Sequence, residues 1–273
     1  MLPGSRVTSI HEAVNFVRQH GIVAFWPLKN TPIASLWGAV AGDRPVADEH
    51  DDPGHITWSW KDSLIRKYAW YYAKLLCRRN FMIRMEIAPC LYALTANFGD
   101  YHEDHLIRYE EGNLTFAAKN IYEAILQNGP LDTQQLKKAA RLSGRAGDSE
   151  FNKAILELQM DMKILPVSIS ESGAWHYSFV YEIVARHYPE IPIRAHEISI
   201  SQAKEKLIMT YLASCGITRL SYIKSLFRWQ PQSTKNMLQK LENERQLTAD
   251  FTVEHHPAGD WIGLPSVVLQ LSN

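Results

Sequence analysis

This 273-residue chain has little cysteine, no net charge and no long apolar run. Its three cysteines, Cys77, Cys90 and Cys215, lie far apart without a Cys-x-x-Cys pair. That excludes a zinc ribbon and a disulfide framework, and leaves free thiols in a reducing compartment. Lys plus Arg is 29 and Asp plus Glu is 29, with no long run of one sign. A polybasic tail is therefore excluded, and bulk charge cannot carry nucleic-acid binding, although a local basic face can. No apolar run approaches the roughly 20 residues needed to span a bilayer. The Met1-Leu-Pro-Gly-Ser start lacks a charged segment followed by an apolar one. The chain reads as cytoplasmic, without a membrane partner. Walker A, GxGxxG, GxSxG and HExxH signatures are missing too. Nucleotide hydrolysis, dinucleotide redox chemistry and serine-type hydrolysis thus find no support, and no cofactor is expected.

What is present is core-forming material: 46% apolar residues, including eight Trp, twelve Tyr and nine Phe. The last 160 or so residues repeat one pattern twice. In the first copy, Ala117 to Asn128 has helical apolar spacing and stops at Gly129-Pro130. Asp132 caps a second helix, Thr133 to Leu142. Asp148 or Ser149 caps a third, running to about Met162. Ile164 to Ser170 and Trp175 to Tyr181 read as strands around a Glu171-Ser172-Gly173 turn. In the second copy the helices are Gln202 to Ser214, Arg219 to Trp229 capped by Thr218, and Thr234 to Arg245. Leu247 to His255 and Trp261 to Leu271 read as the strands. Three helices, a strand, a turn and a strand is the order of a winged helix-turn-helix; a generic α+β fold with two hairpins is the alternative. The expected fold is mainly α with small β-sheets. It divides into an irregular, winged-helix-like unit over 1–115, a winged helix over 116–187, an extended proline linker over 188–200 and a C-terminal winged helix over 201–273.

In such units the third helix enters the DNA major groove, so its start must carry donors for phosphates and base edges. The first copy offers Arg145, Ser149, Asn152 and Lys153, and the second Arg228, Gln232, Ser233, Thr234 and Lys235. The formal charge is +2 over 191–273 and −1 over each of 1–116 and 117–190, which favours the last copy as the DNA reader. In the N-terminal part, Ile56 to Trp60 alternates, as a strand would, and Lys61 to Leu76 reads as a helix. Trp58, Trp60 and Lys61 are candidates for stacking on an extruded base, against the alternative that these rings fill a core. His50, Asp51 and Asp52 lie in a polar loop and are the general-base candidates if the protein is an enzyme. Neither that loop nor His102-Glu-Asp-His105 has ligand spacing that makes a metal site, and no metal is expected.

Several strings resemble the winged-helix family of the AlkZ and YcaQ DNA glycosylases. They are Phe151-Asn-Lys-Ala-Ile-Leu-Glu-Leu-Gln-Met, Ile164-Leu-Pro-Val-Ser and Trp175-His-Tyr-Ser-Phe. Leu36-Trp-Gly-Ala-Val-Ala-Gly-Asp-Arg-Pro-Val followed by Glu49-His-Asp-Asp-Pro resembles its shorter relatives. The resemblance implies tandem winged helices around a concave DNA-binding surface, with double-stranded DNA, damaged DNA included, as partner. The family's glycosylases carry a Gln-hydrophobic-Gln or Gln-hydrophobic-Asp motif in the first unit. Its matching place here is Gly21-Ile-Val-Ala24-Phe25-Trp26, which puts Ala24 and Trp26 at the polar positions. Neither can position or activate a water by hydrogen bonding as Gln or Asp can. The expected function is therefore DNA binding without that catalytic pair. A glycosylase with a relocated carboxylate and a protein-interaction scaffold are the alternatives. No oligomeric state is implied.

Overall fold

A computed structural model describes residues 6–271 except 30, 43, 45, 47–51, 174–175, 255 and 257–258; the side chains of residues 52, 145, 146 and 271 lie outside it as well. His50 and Asp51 therefore lie outside the described residues.

The chain runs three times through the same sequence of elements. The first pass is α1 (Ile10–His20), β1 (Ile22–Ala24), α2 (Leu36–Ala41), α3 (Asp52–Leu64), β2 (Tyr71–Lys74) and β3 (Asn80–Ile83). Two short helices follow, α4 (Ala88–Tyr92) and α5 (Asp104–Glu110). The second pass is α6 (Phe116–Asn128), β4 (Leu131–Asp132), α7 (Thr133–Ala139), α8 (Arg145–Met160), β5 (Ile164–Ser170) and β6 (Ser178–Ile183). Helices α9 (Val184–His187) and α10 (Glu190–His196) lead to the third: α11 (Ile200–Cys215), β7 (Ile217–Arg219), α12 (Leu220–Phe227), α13 (Pro231–Asn243), β8 (Thr248–Ala249) and β9 (Trp261–Gly263). Helix α14 (Pro265–Leu271) ends the described chain. Each pass closes a three-stranded antiparallel sheet, and in all three the last strand lies between the other two. The architecture is α+β with three small sheets.

Local chemistry explains many of the boundaries. Ser9, Thr115 and Ser199 cap α1, α6 and α11 by accepting from the first-turn amides. Asp132 and Gln135 form a reciprocal capping box on α7. Gly21 ends α1 at φ +74°, and a Cβ there would lie 2.5 Å from the Thr210 methyl of α11. Only glycine suits both the backbone and the close approach.

Several expected elements differ. Residues 56–60 belong to helix α3, so Trp58 and Trp60 do not share a strand face; two residues apart on a helix, they point roughly 200° apart. Lys61 to Leu76 is not one helix: it ends α3, then turns into β2. The proline linker is also helical. Pro189 caps α10 and Pro192 sits in its first turn, where a missing N–H costs nothing. Helix α8 starts at Arg145 rather than at Ser149. The last expected strand stops at Gly263, because Pro265 starts a helix.

One core draws on all three repeats, and Met162, Leu165 and Val167 are the second repeat's share of it. Ile22, Tyr71, Phe81 and Ile83 of the first pack with Leu207, Ile208, Tyr211, Leu212 and Leu241 of the third, and Ile191 of α10 joins them. The second repeat also keeps its own core around Ile121, Ile125, Leu136, Phe151 and Leu158.

Candidate functional site

The third helices of the second and third repeats each bury one face and expose the other. On α8, Phe151, Ala154, Ile155 and Leu158 point inward, while Ser149, Asn152 and Lys153 are exposed. Arg145 opens this helix, but its side chain lies outside the described set. On α13, Met237, Leu238 and Leu241 are buried, while Gln232, Lys235 and Asn236 are exposed. Gln232 donates to Asn236 across one turn at 2.7 Å. Two of the expected donors are turned elsewhere. Thr234 is buried, and its hydroxyl donates to the Gln230 carbonyl of the preceding turn at 3.4 Å. Ser233 accepts from Lys204 Nζ at 2.5 Å. Lys240 is held by Glu205 at 2.7 Å.

A cationic seam that the sequence did not reveal joins the first and third repeats. The β2–β3 hairpin turns through Cys77 and Arg78, both with positive φ, and reaches α12. There the Cys77 thiol donates to the carbonyls of Ser225 and Leu226 at 3.2 and 3.6 Å. Burial raises the pKa of this thiol, against the pull of the Arg228 and Arg79 guanidiniums beside it. Arg78, Arg79 and Arg228 are exposed, as are Lys74 and Lys224 on the flanking elements. Among the described residues none of these five cations takes part in an ion pair. Arg228 reaches this position by ending α12 in the left-handed conformation, at φ +53°.

The other distinctive group lies where the first repeat meets the second. Lys61, near the end of α3, is 1% exposed. Its Nζ lies 4.7 Å from the centre of the Trp58 ring, 5.6 Å from Tyr72, 5.3 Å from Tyr177 and 4.5 Å from Phe179. It donates to the Tyr177 hydroxyl at 2.7 Å and pairs with Asp62 Oδ1 at 2.5 Å. The Tyr177 hydroxyl in turn donates to Asp62 at 3.0 Å. Burial lowers the lysine's pKa, opposed by the hydrogen bond and charge of Asp62. Burial and the Asp62 charge raise that of Tyr177, so it stays a phenol. Lys61 thus does not present itself as an open stacking platform. Trp58 is 41% exposed and forms the outer wall of the box, while Trp60 is half-buried. Asp52 opens α3, with its side chain outside the described set.

At the position of the glycosylase motif, Ala24 ends β1 and is fully buried, at 0% exposure. Trp26 packs edge-on against Phe25 and tilted against Trp37. Neither place carries a carbonyl or carboxylate side chain, and the Trp26 indole N–H can only donate. Among the described residues no three His, Cys, Asp or Glu side chains gather as metal ligands, and no helix is long and apolar enough to cross a membrane.

Comparison with solved structures finds the Streptomyces sahachiroi DNA glycosylase AlkZ, with a TM-score of 0.58 at 13% identity, covering 100% of this chain and 68% of that one. At that identity the match shows a shared fold. No curated protein sequence matches the chain. The AlkZ-related family profile matches residues 7–228, most of the length. On that match, carried by a fold whose elements recur three times, the chain belongs to the AlkZ-related family.

Proposed function

We propose that this protein binds double-stranded DNA through three winged helix-turn-helix units, without the water-activating pair of the family's glycosylases. The observation that carries the reading is the threefold repeat. Every pass runs helix, strand, helix, helix, strand, strand with the last strand central, and that recurring order, which a winged helix also has, supports the reading. In a winged helix the third helix reads the major groove and the hairpin reaches phosphates. Ser149, Asn152 and Lys153, with Arg145 before them, are the contacts of α8; Gln232 and Lys235 are those of α13.

The seam supports the same reading. Phosphate contacts supply most of the affinity of a DNA-binding protein, and they call for cations not already neutralised. Lys74, Arg78, Arg79, Lys224 and Arg228 are such cations, contributed by a hairpin, the last turn of α12 and the turn before α13. A neutral chain can bind DNA only by placing its charge unevenly, and this seam is where it does so. The solved neighbour is a DNA glycosylase by name. Base excision at the motif position is not part of the proposal, since buried Ala24 has no polar side chain and the Trp26 indole offers only a donor, so neither accepts a hydrogen bond from a water.

The test is a fluorescence-anisotropy titration of short duplexes, intact and alkylated, at low salt. Saturable binding is expected. No binding to any duplex at low salt overturns the reading, since phosphate contacts are strongest there.

A further inference from the structure

We propose that the Lys61 amine is a nucleophile toward sugar aldehydes in DNA, the ring-opened deoxyribose of an abasic site being the class it fits. The proposal rests on the DNA-binding reading above and adds to it a covalent activity.

Four observations lead there. A lysine amine is sealed into a box of four rings, where an apolar side chain of similar length would fill the space without the cost of desolvating a charge. The amine nevertheless lies only one side chain below the surface. Its outer wall is Trp58, 41% exposed, and Asp62, whose side chain is 24% exposed. Trp58 must turn aside to admit the aldehyde to Nζ. Two proton-handling groups touch the amine, the Asp62 carboxylate at 2.5 Å and the Tyr177 phenol at 2.7 Å. Finally, α3 is the third helix of its repeat, the element that the reading above places nearest DNA in the other two. Burial lowers the pKa of the amine, which enlarges its neutral, nucleophilic share.

The step is imine formation. The Nζ lone pair attacks the aldehyde carbon, and the carbonyl π electrons move to oxygen. One Nζ proton passes through Asp62 to that oxygen and gives a carbinolamine. The Tyr177 phenol then protonates the departing oxygen, which leaves as water, and regains its proton from the nitrogen. Amine and aldehyde become imine and water, both amine protons leave in the water, and nothing is oxidised or reduced.

The experiment uses the full chain with a duplex carrying one abasic site and, in parallel, with free 2-deoxyribose 5-phosphate. Both arms contain sodium cyanoborohydride, which reduces the imine to a stable amine, and adducts are mapped by peptide mass spectrometry. The expected result is an adduct on Lys61 in both arms, lost in Lys61→Arg, whose guanidinium does not form imines. If that variant does not fold, the map of the unaltered protein decides. Lys61 unmodified in both arms overturns the proposal, as does labelling confined to exposed lysines such as Lys235 or to the amino terminus. Duplex that binds yet leaves Lys61 unmodified also overturns it. Lys61 labelled by the free sugar, with no duplex binding at low salt, upholds the amine's reactivity and removes the DNA-binding reading instead.

Discussion

Helices α3 and α13 hold the same place in two copies of one topology, and they present different chemistry because different things cover them. Tyr177 and Phe179, at the start of β6 in the second repeat, close over the last turns of α3, so Lys61 is desolvated and held by Asp62, Tyr177 and four rings. The outer face of α13 is open, and Lys235 and Asn236 on it face solvent. A covered lysine needs a carboxylate and π faces to offset the loss of water, whereas an uncovered one needs no partner. The comparison teaches that the repeat preserves backbone order while the contacts between repeats decide what each third helix can do.

The comparison can be broken most sharply at the seam. Changing Arg78, Arg79 and Arg228 together to alanine should weaken duplex binding at low salt about 100-fold, at about 1 kcal/mol for each lost contact. Melting temperature should change little, because all three side chains are exposed. Next in size is Lys61→Ala, which should cost about 2–3 kcal/mol in denaturant unfolding. That is below the full cost of breaking a buried pair, because Asp62 can rehydrate at its exposed edge. An unchanged midpoint would mean the box contributes nothing to stability.

A smaller effect comes from pH. Burial lowers the pKa of His105, whose ring packs tilted against Tyr122, below its ordinary value of 6.5. The unfolded chain then binds more protons than the folded one below about pH 6.5, so stability should fall as pH drops through that value. His105→Gln should flatten the melting-temperature profile between about pH 7 and 5.5. Asp132→Ala, which removes the capping box of α7, should cost about 1 kcal/mol. The smallest effect belongs to Lys235→Ala, expected to lower the salt dependence of binding by about one ion and to weaken all duplexes alike.

The second and third repeats were legible because their helices are amphipathic and punctuated. Gly129-Pro130, Asp132 and Gly216 mark ends that the structure keeps. The first repeat was not. Around Trp58-Ser-Trp60 the apolar residues alternate as a strand would, and tertiary packing overrides that local pattern with a helix. The edge strands β4 and β7 have only two and three residues, too few to show a period. The exposure of Lys153 and Lys235, two of the proposed DNA contacts, could be read from polarity and position. Thr234 could not, because a threonine at a helix start serves the helix as readily as a ligand. The Lys61 box joins residues 116 positions apart, and the seam joins the β2–β3 hairpin to α12, 148 positions on. No local pattern carries either.

The central claim is that a neutral chain binds DNA through unevenly placed cations, and the salt dependence of duplex binding tests it most directly. Affinity measured between about 50 and 200 mM salt should fall linearly on a log–log plot, with a slope reduced by about three when Arg78, Arg79 and Arg228 are alanine. A slope near zero, or one that the triple substitution leaves unchanged, would contradict the account.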